Sequence, residues 1–267
     1  MAVIICASAT GSPGVTTTAL GLALRWPQDV LLADCDRDPA QVVQAGYLRG
    51  VDMHNRGLLA VSYAHRENRP LINEVWNQAV PLTQNDEQQR RYLPGFTHPG
   101  SAELFIGVWA DLGRAFAELA ASGVDVIIDI GRIGREGIPR GLLEVADAVL
   151  VFTLSSLRSL AALRLHIPAL LNSVSTSGGH GEVGLVLVGQ GRPYSVNEVA
   201  TQFELPVWAS IAYDPSDALV LSDGAVEPRN YNEGTFTRSL ITSAAAISQR
   251  IAANAQERWF LGGQNYE

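Results

Sequence analysis

The strongest constraint on the fold is the regular alternation of short apolar runs with longer amphipathic segments along the 267 residues. Short runs of this kind are typical of buried parallel strands, and the longer segments have the spacing of helices that cover a sheet. The pattern predicts strands at residues 2–7, 30–33, 124–129, 148–152, 183–188 and 207–211. It predicts helices at residues 17–25, 40–48, 102–122, 157–172, 196–203 and 236–259. The expected fold is therefore α/β, a doubly wound and mainly parallel sheet with helices on both faces.

The length and the rhythm of the chain predict one domain over residues 1–267, since sheets of this class reach about 200–250 residues as one unit. Residues 51–100 interrupt the alternation with polar runs. We expect this segment to form an irregular and partly helical excursion over the sheet. Residues 173–181 are rich in Ser, Gly and Thr, which predicts a flexible loop.

The composition favours a cytoplasmic protein. Two cysteines form neither a disulfide framework nor a metal cluster, which suits a reducing compartment. The apolar runs are far shorter than the roughly 20 residues that a membrane-spanning helix needs. A net charge of −8 disfavours direct nucleic-acid binding.

All 19 basic residues are arginine, because the sequence contains no lysine. Chemistry that needs a lysine amine from this chain is thereby excluded. The sequence therefore excludes a phosphate-binding loop with a lysine, catalysis through a lysine Schiff base, and the tyrosine–lysine pair of short-chain dehydrogenases.

The segment after the first predicted strand is the main candidate site. Residues 4–24 read IICASATGSPGVTTTALGLAL, an apolar strand, a glycine-containing turn and a helix that opens on three threonines. This order places backbone N–H groups and a helix N-terminus at one spot, which favours phosphate binding. The alternative is a tight turn over residues 11–14 with Thr16 or Thr17 capping the helix, which requires no ligand.

Acidic residues follow two other predicted strands. Asp34, Asp36 and Asp38 come after the second strand, and Asp129 ends the third. The carboxyl ends of strands in an open α/β sheet meet at the edge where ligands bind. Taken singly, each acid could instead cap a helix or end a strand.

As a set, these segments resemble the MinD/ParA branch of P-loop ATPases, whose deviant phosphate loop reads lysine, two glycines, any residue, glycine, lysine, and threonine or serine. Laid on that pattern, Ser12 stands at the signature lysine, Pro13 and Gly14 at the first two glycines, Thr16 at the third glycine, Thr17 at the Walker lysine and Thr18 at the magnesium-binding hydroxyl. The resemblance implies cofactor-binding residues Gly11, Gly14, Val15, Thr16, Thr17, Thr18 and Arg192.

The resemblance also implies the cofactor and its chemistry. ATP or ADP with Mg²⁺ is expected, with Asp36 as the water-positioning aspartate and Asp129 at the magnesium end of the Walker B strand. Asp36 and Asp129 are the implied catalytic residues, and both join Thr18 as implied metal residues. Since both lysines are missing, ATP binding and hydrolysis are expected to be weak or lost. Arg37, Arg132 and Arg192 occur in loops that face this edge and could supply positive charge.

The function that the resemblance implies is positioning or partitioning, as in chromosome or plasmid partitioning and septum-site or pilus localisation. TadZ-like and septum-site-like proteins are branches that tolerate altered phosphate loops. Such a protein would act by docking to protein partners, with a homodimer as its active form and peripheral membrane contact as a weaker expectation. Residues 146–153 resemble the strand before the partner-facing helix of that family, and residues 205–214 resemble the strand near its base pocket.

Two alternatives of other classes stay open. The first is a Rossmann-type dinucleotide-binding enzyme, because residues 10–14 open a strand–helix unit and Asp34 follows at the distance of a ribose-binding acid. The full Gly-x-Gly-x-x-Gly spacing is absent. The second is a structural interaction module that binds no ligand.

Overall fold

A computed structural model describes residues 1–9, 13–53, 55–84, 86–191 and 193–263. Its strands are β1 Val3–Ser8, β2 Val30–Asp34, β3 Val80–Pro81, β4 Arg90–Leu93, β5 Asp125–Arg132, β6 Ala148–Leu154, β7 Glu182–Val188 and β8 Val207–Ile211. Its α-helices are α1 Val15–Leu24, α2 Leu58–Arg66, α3 Leu71–Gln78, α4 Trp109–Ala121, α5 Arg140–Leu143, α6 Leu157–Ser177, α7 Val196–Phe203, α8 Pro215–Ser222 and α9 Thr235–Gly263. Short helical segments of other types cover Val42–Tyr47, Pro99–Phe105 and Tyr231–Glu233.

The strands form one eight-stranded sheet in the order β3-β4-β2-β5-β1-β6-β7-β8. All neighbours are parallel except β3, which pairs antiparallel with β4. The predicted fold class is confirmed, and each of the six predicted strands is present. β2 lies on one side of β1 in the sheet, and β6 lies on the other side. The strand order therefore changes direction at β1. Ligands of such sheets bind at this point.

Both faces of the sheet are covered, which explains why the strands read as continuous apolar runs. All six residues of β1 are buried. On one face, Ile5 packs in a core with residues of α2, α3, α4, α6 and α7. On the other face, Ile4 packs with residues of α1, α8 and α9. The central strands therefore hold their carboxyl ends rigidly in place.

The pattern did not predict β3 and β4, which lie with α2 and α3 in residues 51–100. β4 contains two arginines, so it lacks the apolar signature of a strand. The Arg91 guanidinium stacks 4.5 Å from the ring centre of Trp76, and Arg90 pairs with Asp86 at 2.7 Å. Both guanidinium groups also donate to backbone carbonyls, Arg90 to Trp26 at 3.1 Å and Arg91 to Ala79 at 2.6 Å, so the strand accommodates the two charges.

The predicted loop over residues 173–181 is wrong in its first half, because α6 continues to Ser177. Hydroxyls in this last part donate back to carbonyls one turn earlier, as Ser173 does to Ala169 at 2.9 Å and Thr176 does to Asn172 at 2.7 Å. These bonds give the hydroxyl groups partners within the helix, as is common where Ser and Thr occur in helices. Gly178, with φ of 87°, ends the helix in the left-handed conformation.

The two longest helices, α6 and α9, span 21 and 29 residues. α9 packs on the sheet through buried side chains such as Leu240 and Ile247. Within the described residues, neither of these helices nor any other combines the length and the apolar character needed to cross a membrane.

A buried carboxylate joins three elements at the opposite end of the sheet from the candidate site. Asp125, at the start of β5, accepts a hydrogen bond from the backbone N–H of Ala2 at 2.6 Å and another from Trp26 Nε1 at 2.8 Å. Asp125 is 4% exposed. Buried donors that lose their acceptor incur a desolvation cost, so this aspartate fixes the chain start and the end of α1 against β5.

We predict that Asp125→Ala lowers the free energy of unfolding by about 2–5 kcal/mol, because two buried donors lose their acceptor. Urea unfolding followed by circular dichroism measures this change. The control is Glu87→Ala at an exposed position, where a change within about 0.5 kcal/mol is expected. Equal stability of the two variants would contradict the assigned role of Asp125.

Candidate functional site

The carboxyl ends of β1, β2 and β5 meet around Asp129. Cys6 of β1 and Asp34 of β2 are its direct register partners on the two neighbouring strands. The backbone N–H of Cys35 donates to the Asp129 carbonyl at 2.8 Å. The structure thus brings Asp34 and Asp129 together, and Asp36 follows two residues later at the same edge.

The loop between β1 and α1 leads into an open helix N-terminus. Gly14 is the N-cap of α1, with φ of 79° and ψ of 40°, a conformation that glycine adopts without strain. No side chain caps α1, and its first turn contains no acidic residue. The backbone N–H groups of that turn therefore point into the site, as a phosphate would require. Gly11 lies outside the described residues, as do Thr10 and Ser12.

The alternative in which Thr16 or Thr17 caps the helix is wrong, because α1 begins at Val15 and both threonines lie inside its first turn. Val15 and Thr18 are buried, whereas Thr17 is partly exposed. Thr16 lies close to Asp129, and its hydroxyl acts to lower the pKa of that carboxyl group, against the larger effect of burial. This proximity connects the first turn of α1 with the end of β5, and the sequence did not predict it.

The three carboxyl groups are held by specific donors. Asp34 accepts from the Tyr92 hydroxyl at 2.9 Å and from the backbone N–H of Asp36 at 3.3 Å. Asp129 accepts from the backbone N–H of Gly131 at 2.8 Å. Gly131, with φ of 64°, allows its backbone to pass directly against the carboxylate of Asp36, a space that a Cβ atom would fill.

Asp34 does not match the role of a ribose-binding acid. Its carboxylate is occupied by Tyr92 and packs against the backbone of Gly95. A ribose-binding carboxylate has to face open space beside the phosphate loop. This geometry disfavours the dinucleotide-enzyme alternative.

Two cavities open along this edge of the sheet. One, of about 420 Å³, is lined by Asp36 together with residues of the loop after β5, among them Arg132 and Arg135. The other, of about 700 Å³, lies beyond β6, β7 and β8 and carries polar side chains that include Gln190, Ser210 and Tyr213. The second lies at the end of residues 205–214, where the resemblance placed a base pocket. Its size is that of small-molecule sites.

Comparison with known proteins gives the fold. No family model matches the sequence and no curated protein matches it. A ParA family ATPase from Chlorobium tepidum superposes with a TM-score of 0.67 at 15% identity, covering 91% of this chain and 98% of that one. The MinD protein of the Aquifex aeolicus MinC:MinD complex gives 0.65 at 16% identity, covering 93% and 96%. The septum site-determining protein MinD complexed with Mg-ADP from Pyrococcus horikoshii gives 0.65 at 18% identity, covering 92% and 95%.

This chain has the fold of the ParA and MinD ATPases. The expectation from its sequence motifs is confirmed at the level of the fold, over nearly the whole chain. In this ParA/MinD-type fold the loop after β1, the loop after β2 and the end of β5 lie together, as the motif order predicted. Because the sequence identities are only 15–18%, the comparison shows a shared fold and nothing beyond it.

Burial raises the pKa of all three carboxyl groups at the site. Desolvation is the main cause for Asp34, Asp36 and Asp129, and repulsion among them adds to it. The pKa of Asp36 is raised to about 7, although the positive charge of Arg132 acts to lower it. A lysine would normally compensate such a group of acids, and this chain has none. The site therefore carries acidic groups that share protons at neutral pH.

The oxygen donors suit magnesium better than a transition metal. Thr18, Asp36 and Asp129 offer hydroxyl and carboxylate oxygens, the hard ligands that Mg²⁺ prefers. Among the described residues, no three His, Cys, Asp or Glu side chains are grouped as a complete metal site. Magnesium with phosphate and water as its remaining ligands is the arrangement that these residues fit.

Tyr92 is the residue of the site that sequence reasoning missed. It lies on β4 and donates to Asp34 from the neighbouring strand β2. β4 was not predicted, and the tyrosine is 58 residues away from Asp34 in sequence. No local pattern could have revealed this pair.

We predict that the free energy of unfolding decreases as the pH rises from about 5 to about 8. A carboxyl group whose folded pKa exceeds its unfolded value of about 3.9 stabilises the fold while protonated and loses that contribution as the pH passes its folded pKa. The Asp129→Asn variant should show a shallower decline and exceed the wild type in stability at about pH 8. Urea unfolding over a pH series measures both effects.

The control for this prediction is Glu87→Gln, an exposed carboxylate away from the site. Its pH profile should follow the wild type closely. A wild-type stability that rises over this pH range, or a profile of Asp129→Asn identical to the wild type, would contradict the raised pKa values.

Proposed function

We propose that this protein is a ParA/MinD-type positioning or partitioning protein that binds a magnesium nucleotide weakly, hydrolyses it slowly or not at all, and acts by docking to protein partners. One observation carries the nucleotide part. The N-terminus of α1, where Gly14 offers no side chain as a cap, lies close to Asp129 through Thr16, at the point where the strand order of the sheet reverses.

The roles follow from the chemistry of each group. Backbone N–H groups of the first turn of α1, next to Gly14 and Val15, would hold phosphate oxygens. Thr18 would ligate magnesium through its hydroxyl, while Asp36 and Asp129 would hold its water ligands and orient an attacking water. Magnesium, when bound, would neutralise part of the phosphate charge. The base would occupy the cavity of about 700 Å³ beyond β6, β7 and β8.

Weak binding follows from the charge of the site. Thr17 occupies the position at which the resembling family has its Walker lysine, and a threonine brings no positive charge to the phosphates. Three carboxyl groups at the same edge repel an anionic ligand until a cation or protons compensate them. The MinD of Pyrococcus horikoshii, which has this fold, is described as complexed with Mg-ADP. That similarity supports a nucleotide as the ligand.

We predict that Thr18→Val abolishes magnesium-dependent stabilisation by ATP, because valine keeps the shape of the buried threonine and removes the metal-binding oxygen. A thermal-shift titration with ATP and ADP, with and without Mg²⁺, measures the effect. For the wild type, a ligand at 100 times its dissociation constant adds about 2.7 kcal/mol of stability. The matched control is Thr201→Val, an exposed threonine of α7 outside the site, which should respond as the wild type does.

A wild-type protein that no nucleotide stabilises would refute the nucleotide part of the proposal and favour a ligand-free interaction module. Equal responses of the wild type and Thr18→Val would refute the assigned role of Thr18.

The docking part of the proposal concerns helix α6. Leu157, Ala161, Leu165 and Pro168 follow at helical spacing and all are exposed, with Leu165 at 80%. Such a stripe of apolar residues on a surface helix marks an interaction face. The MinD of Aquifex aeolicus is found in a complex with MinC. That complex supports a protein partner for a chain with this fold.

The charges of α6 favour an acidic protein segment as the partner. Its 21 residues include Arg158 and Arg164 and no Asp or Glu, although the whole chain has a net charge of −8. The helix is therefore a locally basic and apolar face on an acidic protein. An amphipathic helix with acidic flanks would complement both features.

If the protein has a positioning function, a fluorescent fusion of the wild type is confined to particular sites in its host cell. We predict that the Leu165→Glu fusion is instead spread through the cell, because a carboxylate disrupts the apolar face of α6. The melting temperature should stay unchanged, since Leu165 is exposed. Fluorescence microscopy and a thermal scan measure the two properties. The matched control is Val226→Glu, at an exposed apolar position outside α6, which should localise as the wild type does.

A uniform distribution of the wild-type fusion would refute the positioning function. A second assay is sedimentation of the purified protein with phosphatidylglycerol vesicles. If the wild type sediments with the vesicles and Leu165→Glu does not, α6 binds a membrane and the proposed protein partner is refuted.

A further inference from the structure

The proposed nucleotide site needs positive charge that no lysine can supply. Arginine is the remaining source, and Arg192, which the sequence places at this edge, lies outside the described residues. Among the described residues, Arg37, Arg132 and Arg135 line the cavity that contains Asp36. Arg135 lies three residues after the end of β5, and Arg132 is the arginine whose charge acts on Asp36. Arg37 and Arg132 differ clearly in their contacts.

Arg37 is already committed to other partners. Its guanidinium pairs with Glu136 at 2.5 Å and donates to the carbonyls of Gly137 at 2.5 Å and Ile133 at 3.3 Å. The side chain is only 19% exposed. Arg37 thus ties the loop after β2 to the loop after β5, and binding a phosphate would require it to give up these bonds.

Arg132 stands beside the phosphate loop and is unengaged. It is the last residue of β5, in register with Ser8, the last residue of β1. The next residue, Ile133, donates its N–H to the Ser8 carbonyl at 3.0 Å, which fixes the backbone at this position. The Arg132 side chain is exposed, and within the described part of the chain it forms no hydrogen bond or ion pair.

Arg132 lies close to the acidic residues of the site. Arg132 and Asp36 line the same cavity of about 420 Å³. The charge of Arg132 lowers the pKa of Asp36, against the larger effect of burial. Since such an effect requires proximity, the guanidinium lies within electrostatic reach of the carboxylate that the proposed function assigns to water and magnesium.

We infer that Arg132 binds the terminal phosphoryl group of a nucleoside triphosphate whose inner phosphates lie on the N-terminus of α1. This inference rests on the proposed nucleotide site and names the residue that replaces the absent lysine there. A guanidinium presents a planar fork of donors that matches two phosphoryl oxygens. The fixed backbone at Ile133 and the free side chain at Arg132 are the combination that such a contact requires.

The position of Arg132 also predicts which nucleotide it distinguishes. In that arrangement the third phosphate of a triphosphate would extend from α1 toward the cavity that Arg132 lines, and a diphosphate would lack this group. Arg132 should therefore strengthen the binding of ATP more than that of ADP. The three carboxyl groups nearby add to this dependence, because they repel the terminal phosphate wherever the arginine is missing.

The test compares dissociation constants for ATP and ADP with Mg²⁺, obtained from thermal-shift titrations of the full chain. Arg132→Gln should weaken ATP binding about tenfold or more, the loss expected for a charge-assisted hydrogen bond, and should leave ADP binding nearly unchanged. The ATP affinity of Arg132→Lys should fall between those of the wild type and Arg132→Gln, because lysine restores the positive charge but not the planar pair of donors. Arg135→Gln, an exposed arginine that lines the same cavity, is the matched control and should bind both nucleotides as the wild type does.

The possible failures are distinguishable. If the wild type responds to ATP and Thr18→Val does not, yet Arg132→Gln binds both nucleotides like the control, the inference about Arg132 is wrong and the nucleotide site stands. Equal losses in Arg132→Gln and Arg135→Gln would also overturn it, because they would show a general charge effect. If the wild type binds no nucleotide, both the inference and the proposed site are wrong.

Discussion

The burial of acidic groups at one edge of the sheet, without a lysine to compensate them, is the constraint on which the rest of the site depends. Asp129 is central, because its register partner Asp34 lies on the adjacent strand and Thr16 reaches it from the phosphate loop. Each carboxyl group is kept in place by a hydroxyl or a backbone N–H. The hydrogen bonds stabilise the ionised carboxylates, whereas desolvation and mutual repulsion destabilise them. Protons or cations would therefore stabilise the site further.

The surrounding structure holds that edge firmly. The central strands are covered on both faces, and Arg37 ties the loop after β2 to the loop after β5 through Glu136 and two carbonyls. At the opposite end, Asp125 joins the chain start to α1 and β5. The position of α1 relative to Asp129 is thus decided by packing across the whole sheet.

Sequence reasoning succeeded for elements whose signal is local. The six predicted strands are visible as apolar runs, because most of their residues are buried. It failed for β4, where Arg90 and Arg91 conceal the strand, since Arg90 is paired with Asp86 and Arg91 stacks on Trp76. It also ended α6 too early, because residues 173–177 are mostly Ser and Thr, which are typical of loops, whereas hydroxyls such as that of Thr176 bond to carbonyls within this helix.

The sequence by itself determined the doubly wound fold, the order of the phosphate loop and the acidic strand ends, and the absence of any lysine, because these are properties of residue type and spacing. Only the tertiary structure decided that Thr16 lies close to Asp129, that Tyr92 donates to Asp34, and that Arg37 is bonded to Glu136 and two carbonyls while Arg132 has no bonded partner among the described residues. Those outcomes depend on which side chains meet across strands far apart in sequence, and pairing of that kind is fixed by the packing of the whole sheet.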